Sequence, residues 1–241
     1  MIFRQATLLI VLLLVVISTA VSQSRQISEA DSEEVLYQDD NIQILEVTYD
    51  IQLPFGDYSR ALNRNLNGFT GTYFTQSRSK QYSHLGIQFS IFRIGDLTNT
   101  IISGPDQFTD TTTSTALMAR FIYRKYAPFY LPKLEPFLEA SVGPHLYYTS
   151  TNTIFLDAQG GSSLNFDESD FGLSYGILLG TTIHIVDSIL GVVKFGFHGG
   201  TATSFLVPSE ELQTTFPFDS FQNEVEQLGY FSINFGLAYT F

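Results

Sequence analysis

Nine ionisable residues share a pattern that could do chemistry. Glu46, Asp50 and Glu139, the cations Arg120, Arg124 and Lys194, and His84, His145 and His198 all sit in stretches where apolar residues recur at every second position, and all fall on the polar side. Successive side chains of a strand point to opposite faces, so strands that close around these residues would gather them in one enclosed space. Charges enclosed together must pair, because a lone buried ion is very costly. The expected result is an ion-pair and hydrogen-bond network filling a narrow interior. The sharper alternative is a charged ring that selects passing solutes.

Catalysis would need a nucleophile and a base within hydrogen-bonding reach. Ser141 and His145 lie on one side of the same stretch, but four residues of strand separate them by ~13 Å. His184 and Asp187 sit near a turn, and a Ser-His-acid set assembled across strands stays open. No catalytic residue is expected from spacing, and no cofactor. Asp157, Asp167, Glu168 and Asp170 crowd one connection. Hard cations take carboxylate oxygens, but Asp157-Ala-Gln-Gly-Gly lacks the alternating ligands of a calcium loop. A solvated acidic loop without metal is expected.

The elements that must position these residues are strands. The apolar positions run Leu45–Leu53, Phe69–Tyr73, Leu85–Ile91, Thr115–Tyr123, Leu138–Tyr148, Phe171–Ile185, Ile189–Phe197 and Phe231–Phe241, each at a spacing of two. Eight strands is the usual minimum for a membrane barrel. Connections alternate in length. Gln76–Gln81, Ala127–Lys133 and Val186–Ser188 are short, whereas Pro54–Asn67, Gly95–Thr112, Thr149–Ser169 and Gly200–Leu228 are long. Short periplasmic turns opposite long extracellular loops are the membrane-barrel arrangement. Tyr82, Tyr123, Tyr126, Tyr239 and Phe241 at the turn side, and Phe55, Tyr58, Tyr147, Tyr148, Phe171 and Tyr230 at the loop side, suggest two interfacial girdles. In the last long connection, Asp219 and Gln222 have capping-box spacing and Gly229 suits a C-cap, so a short helix with Phe221, Val225 and Leu228 on one face is expected. Phe205, Phe216, Pro217, Phe218 and Phe221 would form an exposed contact cluster there.

Composition agrees. The chain has 241 residues, with Lys+Arg 12 against Asp+Glu 24 and a formal charge of −12. That balance argues against a nucleic-acid partner, which needs a basic face. Cys is 0, Phe 22, Tyr 13 and Gly 18, so no disulfide framework or lipoprotein anchor exists, and closure of a barrel can satisfy the backbone without covalent staples. Residues 1–22 carry a basic start, an apolar run from Leu8 to Ile17 and small residues before Gln23. They read as a secretory signal peptide cleaved near Ser22. Residues 23–42 are polar and acidic, and are expected to be a flexible leader. The barrel is expected over 43–241.

The alternating strand Phe231–Phe241, ending on an aromatic residue, resembles the closing strand of bacterial outer-membrane β-barrels. The architecture from Leu45 to Phe241 is similar to the small Gram-negative family that includes opacity-type and OmpX/OmpW-like barrels. The resemblance implies an all-β fold, a closed antiparallel eight-stranded transmembrane barrel, located in the outer membrane. It also implies contact with outer-membrane lipids, and a terminal signal at Tyr239 and Phe241 read by the barrel-assembly machinery. Family members act as envelope-stabilising proteins, adhesins, narrow conduits or secretion accessories, and a few modify lipid A. This chain lacks the His-x-Ser arrangement of the lipid-A deacylases. The expected role is therefore non-enzymatic, structural or surface-interacting, with extracellular partners or ligands met through the loops. A narrow porin-like channel or secretion accessory is the first alternative. The second is a soluble, secreted lipocalin-like carrier, in which the apolar stripes would face inward around a ligand.

Overall fold

The computed structural model describes residues 42–76, 82–103, 106–128, 133–155, 161–186, 188–209 and 217–241. The expected signal peptide and, except for Ile42, the expected acidic leader lie outside these residues, as do Asp157, Asp187 and Phe216. The chain forms β1 (Gln43–Pro54), α1 (Gly56–Leu62), β2 (Leu66–Gln76), β3 (Ser83–Ser103), β4 (Asp106–Tyr126), β5 (Leu134–Phe155), β6 (Gly161–Val186), β7 (Ile189–Pro208) and β8 (Phe221–Thr240). Each strand pairs antiparallel with the next, and β8 returns to β1, closing an eight-stranded barrel. At the seam the Gln43 N–H donates to the Phe241 carbonyl at 3.0 Å and the Phe241 N–H to the Gln43 carbonyl at 3.1 Å.

The period-two pattern decides inside from outside. Glu46, Thr48, Asp50 and Gln52 are buried, while Leu45 and Val47 between them are 49% and 55% exposed. Phe69, Phe89, Phe121, Phe171 and Ile177 are at least 60% exposed on the outer wall. The apolar stripes therefore face outward. This is the reverse of a soluble carrier, whose stripes would line a cavity.

Three expectations about the connections are corrected. The stretches Gly95–Thr112, Thr149–Ser169 and Gly200–Leu228, expected as long loops, are not loops throughout. Their described residues largely continue the strands past the barrel as hairpins. They are rich in Thr, whose branched side chain suits a pleated surface. Register shifts at Arg93/Gly95, Thr149/Ser150 and Gly199/Ala202 mark where the strands leave the barrel wall, as bulges at a rim do. The expected helix after Asp219 is a 3-10 turn, Phe218–Ser220, followed by β8. Residues 221–227 pair with β7 from Pro208 to Ala202, and that ladder outweighs an isolated short helix, which is marginal on its own. Phe205 and Phe221 are then buried, leaving Phe218 partly exposed, so the expected exposed cluster is not present among the described residues.

The interior closes at both ends with apolar layers. At the hairpin end, α1 turns inward. Gly56 at φ 65° lets the chain leave β1 sharply, a backbone state glycine adopts freely. Tyr58 and Leu62 of α1 are buried among Leu66, Phe92, Ile94, Met118, Tyr147, Phe205, Leu228 and Tyr230. The Tyr58 and Tyr147 hydroxyls lie 2.9 Å apart. At the turn end, Ile44, Phe74, Ile122, Tyr126, Phe137, Leu190 and Val192 form a second buried cluster. Tyr58, Tyr126, Tyr147 and Tyr230 thus belong to the interior and not to girdles. Tyr82, Tyr123, Tyr239 and Phe241 are exposed as expected of a rim.

The α1 plug gives a direct expectation. Tyr58→Ala removes a buried ring and its hydroxyl contact, and should destabilise the folded barrel by about 3–5 kcal/mol. Reversible urea unfolding in detergent or lipid measures this.

Candidate functional site

All nine polar residues singled out from the sequence lie inside the barrel. Glu46, Arg124 and Glu139 have no exposure, Lys194 and His145 have 1%, and Asp50, Arg120, His84 and His198 have at most 6%. Four of them meet in one network. Arg124 of β4 reaches Glu46 of β1 at 2.6 Å and Glu139 of β5 at 2.8 Å. Its Nε donates to the same Glu139 oxygen at 3.0 Å. Lys194 of β7 meets Glu46 at 2.6 Å and Glu139 at 3.7 Å. Two cations and two carboxylates thus neutralise each other across the lumen. The Arg124 guanidinium also lies between two rings, 4.0 Å from the Phe74 centroid and 4.1 Å from that of Phe137. A desolvated cation over an aromatic face gains about 2 kcal/mol. The turn-end apolar cluster therefore holds the guanidinium plane while the carboxylates hold its edge.

Arg120 has a different setting. Its Nε donates to Ser174 Oγ at 3.1 Å, and its Nη2 donates to Tyr230 Oη at 2.7 Å and to the Met118 sulfur. Its Nη1 lies 3.2 Å from His198 Nδ1. Arginine can only donate, so His198 Nδ1 accepts, and the neutral ring carries its proton on Nε2. That Nε2 lies 3.1 Å from Ser232 Oγ, which donates to Asn234 Oδ1 at 3.2 Å. Asn234 in turn hydrogen-bonds Asp50, which also accepts from Thr48 at 2.7 Å and from Thr70. Every donor in this chain points the same way, from Arg120 through His198, Ser232 and Asn234 to Asp50. The third cation and third carboxylate of the interior are joined by three neutral side chains instead of direct contact.

This relay bears on chemistry. Ser232 and His198 have the separation of a nucleophile and its base. A general base, however, must present a lone pair to the hydroxyl. Here the lone pair faces Arg120 and the N–H faces Ser232, the opposite of what serine activation needs. Ser141 and His145 do not meet. His145 Nε2 lies 2.7 Å from Thr203 Oγ1, and its ring is edge-on to Tyr147. His84 stands apart from the other histidines, edge-on to Tyr126. His184 is half exposed and pairs with Glu135 at 3.0 Å. Among the described residues no group of three or more His, Asp or Glu could hold a metal ion.

The rings fit because the residues directly beside them on β6, Gly172 against His145 and Gly176 against His198, carry no side chain. A Cβ on Gly172 would come within 2.6 Å of His145, and one on Gly176 would strike His198. Close approach of this kind is what a strand glycine permits.

No family model matches the chain, and no curated protein matches it. Among solved structures, its likeness is to small outer-membrane β-barrels. It resembles Neisserial surface protein A at 9% identity and a TM-score of 0.42, over 84% of this chain and 98% of that one. It resembles outer membrane protein W of E. coli at 11% identity and a TM-score of 0.42, over 85% and 100%. Ail, the attachment invasion locus protein of Yersinia pestis, gives 11% and 0.38, over 84% and 99%. These are likenesses of barrel architecture and carry no chemistry.

Several residues that build the site were not singled out by spacing: Tyr230, Ser232, Asn234, Ser174, Phe74 and Phe137. Parity would have found them. Tyr230 shares its face with Ser232 and Asn234, Tyr126 with Arg120 and Arg124, and Phe137 with Glu139. Tyr239 and Phe241 lie on the outer wall, 50% and 58% exposed, with rings stacked at 5.8 Å.

The network predicts a specific pattern of stability. Arg124→Met strips two buried carboxylates of their shared partner and should cost about 3–5 kcal/mol. Adding Glu46→Gln to it leaves Glu139 facing Lys194 alone and should recover part of that loss. A double-mutant cycle from urea unfolding reads the coupling directly. Separately, Gly176→Val should displace His198 and cost about 1–3 kcal/mol by overpacking.

Proposed function

We propose that this chain is an integral outer-membrane protein with a filled, non-conducting barrel, and that its role is structural or surface-interacting and not enzymatic. The observation that carries this reading is the inversion of the barrel: a continuous apolar outer wall around a buried ion network. On β5 the outward residues from Leu138 to Tyr148 cover about 25 Å at the usual strand rise and tilt, the height of a membrane barrel's apolar band. Only a closed barrel lets strands cross a bilayer with every backbone group paired. The leader-like residues 1–22 support export, and the outward Tyr239 and Phe241 on the closing strand suit contact with the assembly machinery. Outer-membrane lipids are the partners this wall requires.

The filled interior favours the structural role over a channel. Two apolar clusters lie above and below the ion network, and a conduit would have to pass both. The hairpins beyond the wall are the surface available to extracellular partners.

Envelope fractionation followed by electrophoresis with and without boiling tests the placement. The expected outcome is an outer-membrane band whose mobility changes on heating. A freely soluble protein without that change would overturn it. In planar bilayers the purified barrel should show no steady conductance, and reproducible single-channel steps would replace the structural role with the channel.

A further inference from the structure

Past the barrel rim, β3, β4, β5 and β6 continue as a four-stranded sheet with two different faces. On the inner face Asp110, Thr112, Ser114 and Thr149, nearest the rim, are buried. The outer face follows the alternation of the apolar wall directly. Above Tyr148 on β5 come Ser150, Asn152 and Ile154, and beside them Thr109 and Thr111 of β4, Thr98 and Thr100 of β3, and Leu164 of β6, with Ile154 and Leu164 42% and 59% exposed. The six polar residues of this shelf are exposed or half-exposed. They stand in cross-strand register, with Thr98 and Thr111 hydroxyls 3.1 Å apart and Thr100 and Thr109 hydroxyls 3.3 Å apart.

We infer that this hydroxyl shelf binds the sugar headgroups of glycolipids in the leaflet around the barrel. The inference rests on the outer-membrane reading. A face that meets acyl chains along the wall must meet the headgroups of the same lipids over the next ~10–15 Å of strand. Its chemistry selects among headgroups. Each hydroxyl is one donor and two acceptors, so a cross-strand pair still offers hydrogen bonds outward. The charged pair at the shelf's lower edge, Arg93 with Asp96 at 3.2 Å, is internally neutralised. A phosphate-binding surface would present unpaired Lys or Arg, and the six shelf residues include none. The ring of Phe166, 74% exposed and 6.2 Å from that of Tyr148, flanks the shelf and offers an apolar platform for the C–H face of a sugar. By contrast, the neighbouring β7–β8 hairpin carries Glu224 and Glu226, whereas the charges beside the shelf, Arg93 and Asp96, are paired with each other.

The test compares thermal unfolding in phosphatidylcholine vesicles with and without a neutral glycosyl diacylglycerol. It is read by the heat-dependent electrophoretic shift, for wild type and for Thr98→Val/Thr100→Val/Thr109→Val/Thr111→Val. Valine keeps the branched shape and removes the hydroxyl. Ligand that binds only the folded state raises its stability, so the wild-type midpoint should rise with glycolipid and the quadruple variant should lose that rise. No rise in wild type, a rise kept by the variant, or a rise produced only by phosphate-bearing lipopolysaccharide would overturn the inference. If the variant does not fold, Ser150→Trp serves instead, since the chain has no other tryptophan. Its emission should shift to the blue with glycolipid, and unchanged emission would overturn the inference. A wild type that inserts but ignores glycolipid defeats this inference alone. One that inserts into no vesicle defeats the outer-membrane reading with it.

Discussion

The Arg124 network braces the barrel. Its four charges come from β1, β4, β5 and β7, so one cluster ties together walls that lie opposite each other. A sheet closed on itself fixes neighbouring strands but does little to hold opposite walls at a set distance. Here that distance is set by side chains that must meet, because an unpaired ion in an enclosed lumen is worth several kcal/mol of penalty. The stack of Phe74, guanidinium and Phe137 adds orientation: the rings hold the plane, and the carboxylates take the edge.

The rest of the interior is arranged around that constraint. Within the barrel wall, three buried cations stand against three buried carboxylates among the described residues, counting the Arg120–Asp50 pair linked through His198, Ser232 and Asn234; Asp110 is buried beyond the rim. Apolar layers close both ends, one of them completed by α1, which leaves the β1 strand to bring Tyr58 and Leu62 into the mouth. Glycines in register with His145 and His198 on the adjacent strand β6, Gly172 and Gly176, accept the imidazole rings. A lumen packed this way has the character of a protein core turned polar in its middle, while the outer wall takes over the apolar burden that a soluble protein places inside. That division is the reverse of a ligand-filled carrier, whose apolar stripes would face inward.

Much of this was legible in the sequence because a strand's period of two is strict. Every residue from Glu46 to His198 assigned to the interior lies there, since one slip of register would have reversed an entire face. Parity also held the assignments that were missed. Tyr126, Tyr147 and Tyr230 share faces with Arg124, His145 and Ser232, and their inward direction follows from position, whereas aromatic character alone suggested a girdle. Other features were not legible. The reach of the strands beyond the wall depends on cross-strand pairing of Thr-rich segments that look irregular when read singly. The Asp219 segment has sound local helix signals, but pairing with β7 overrides them. The inward turn of α1 depends on what the barrel mouth lacks, and only the closed structure reveals that.

The most direct test of the account is cysteine accessibility on β8, because the chain has no cysteine of its own. Asn234→Cys places a thiol in the lumen and Phe235→Cys places one on the outer wall. In the folded, vesicle-inserted protein, a lipid-soluble maleimide should label position 235, and a water-soluble maleimide should label neither. Rapid labelling of position 234 by the water-soluble reagent would show an open lumen. Labelling of position 235 by that reagent would show a wall facing water, and either result would contradict a filled barrel inverted for the membrane.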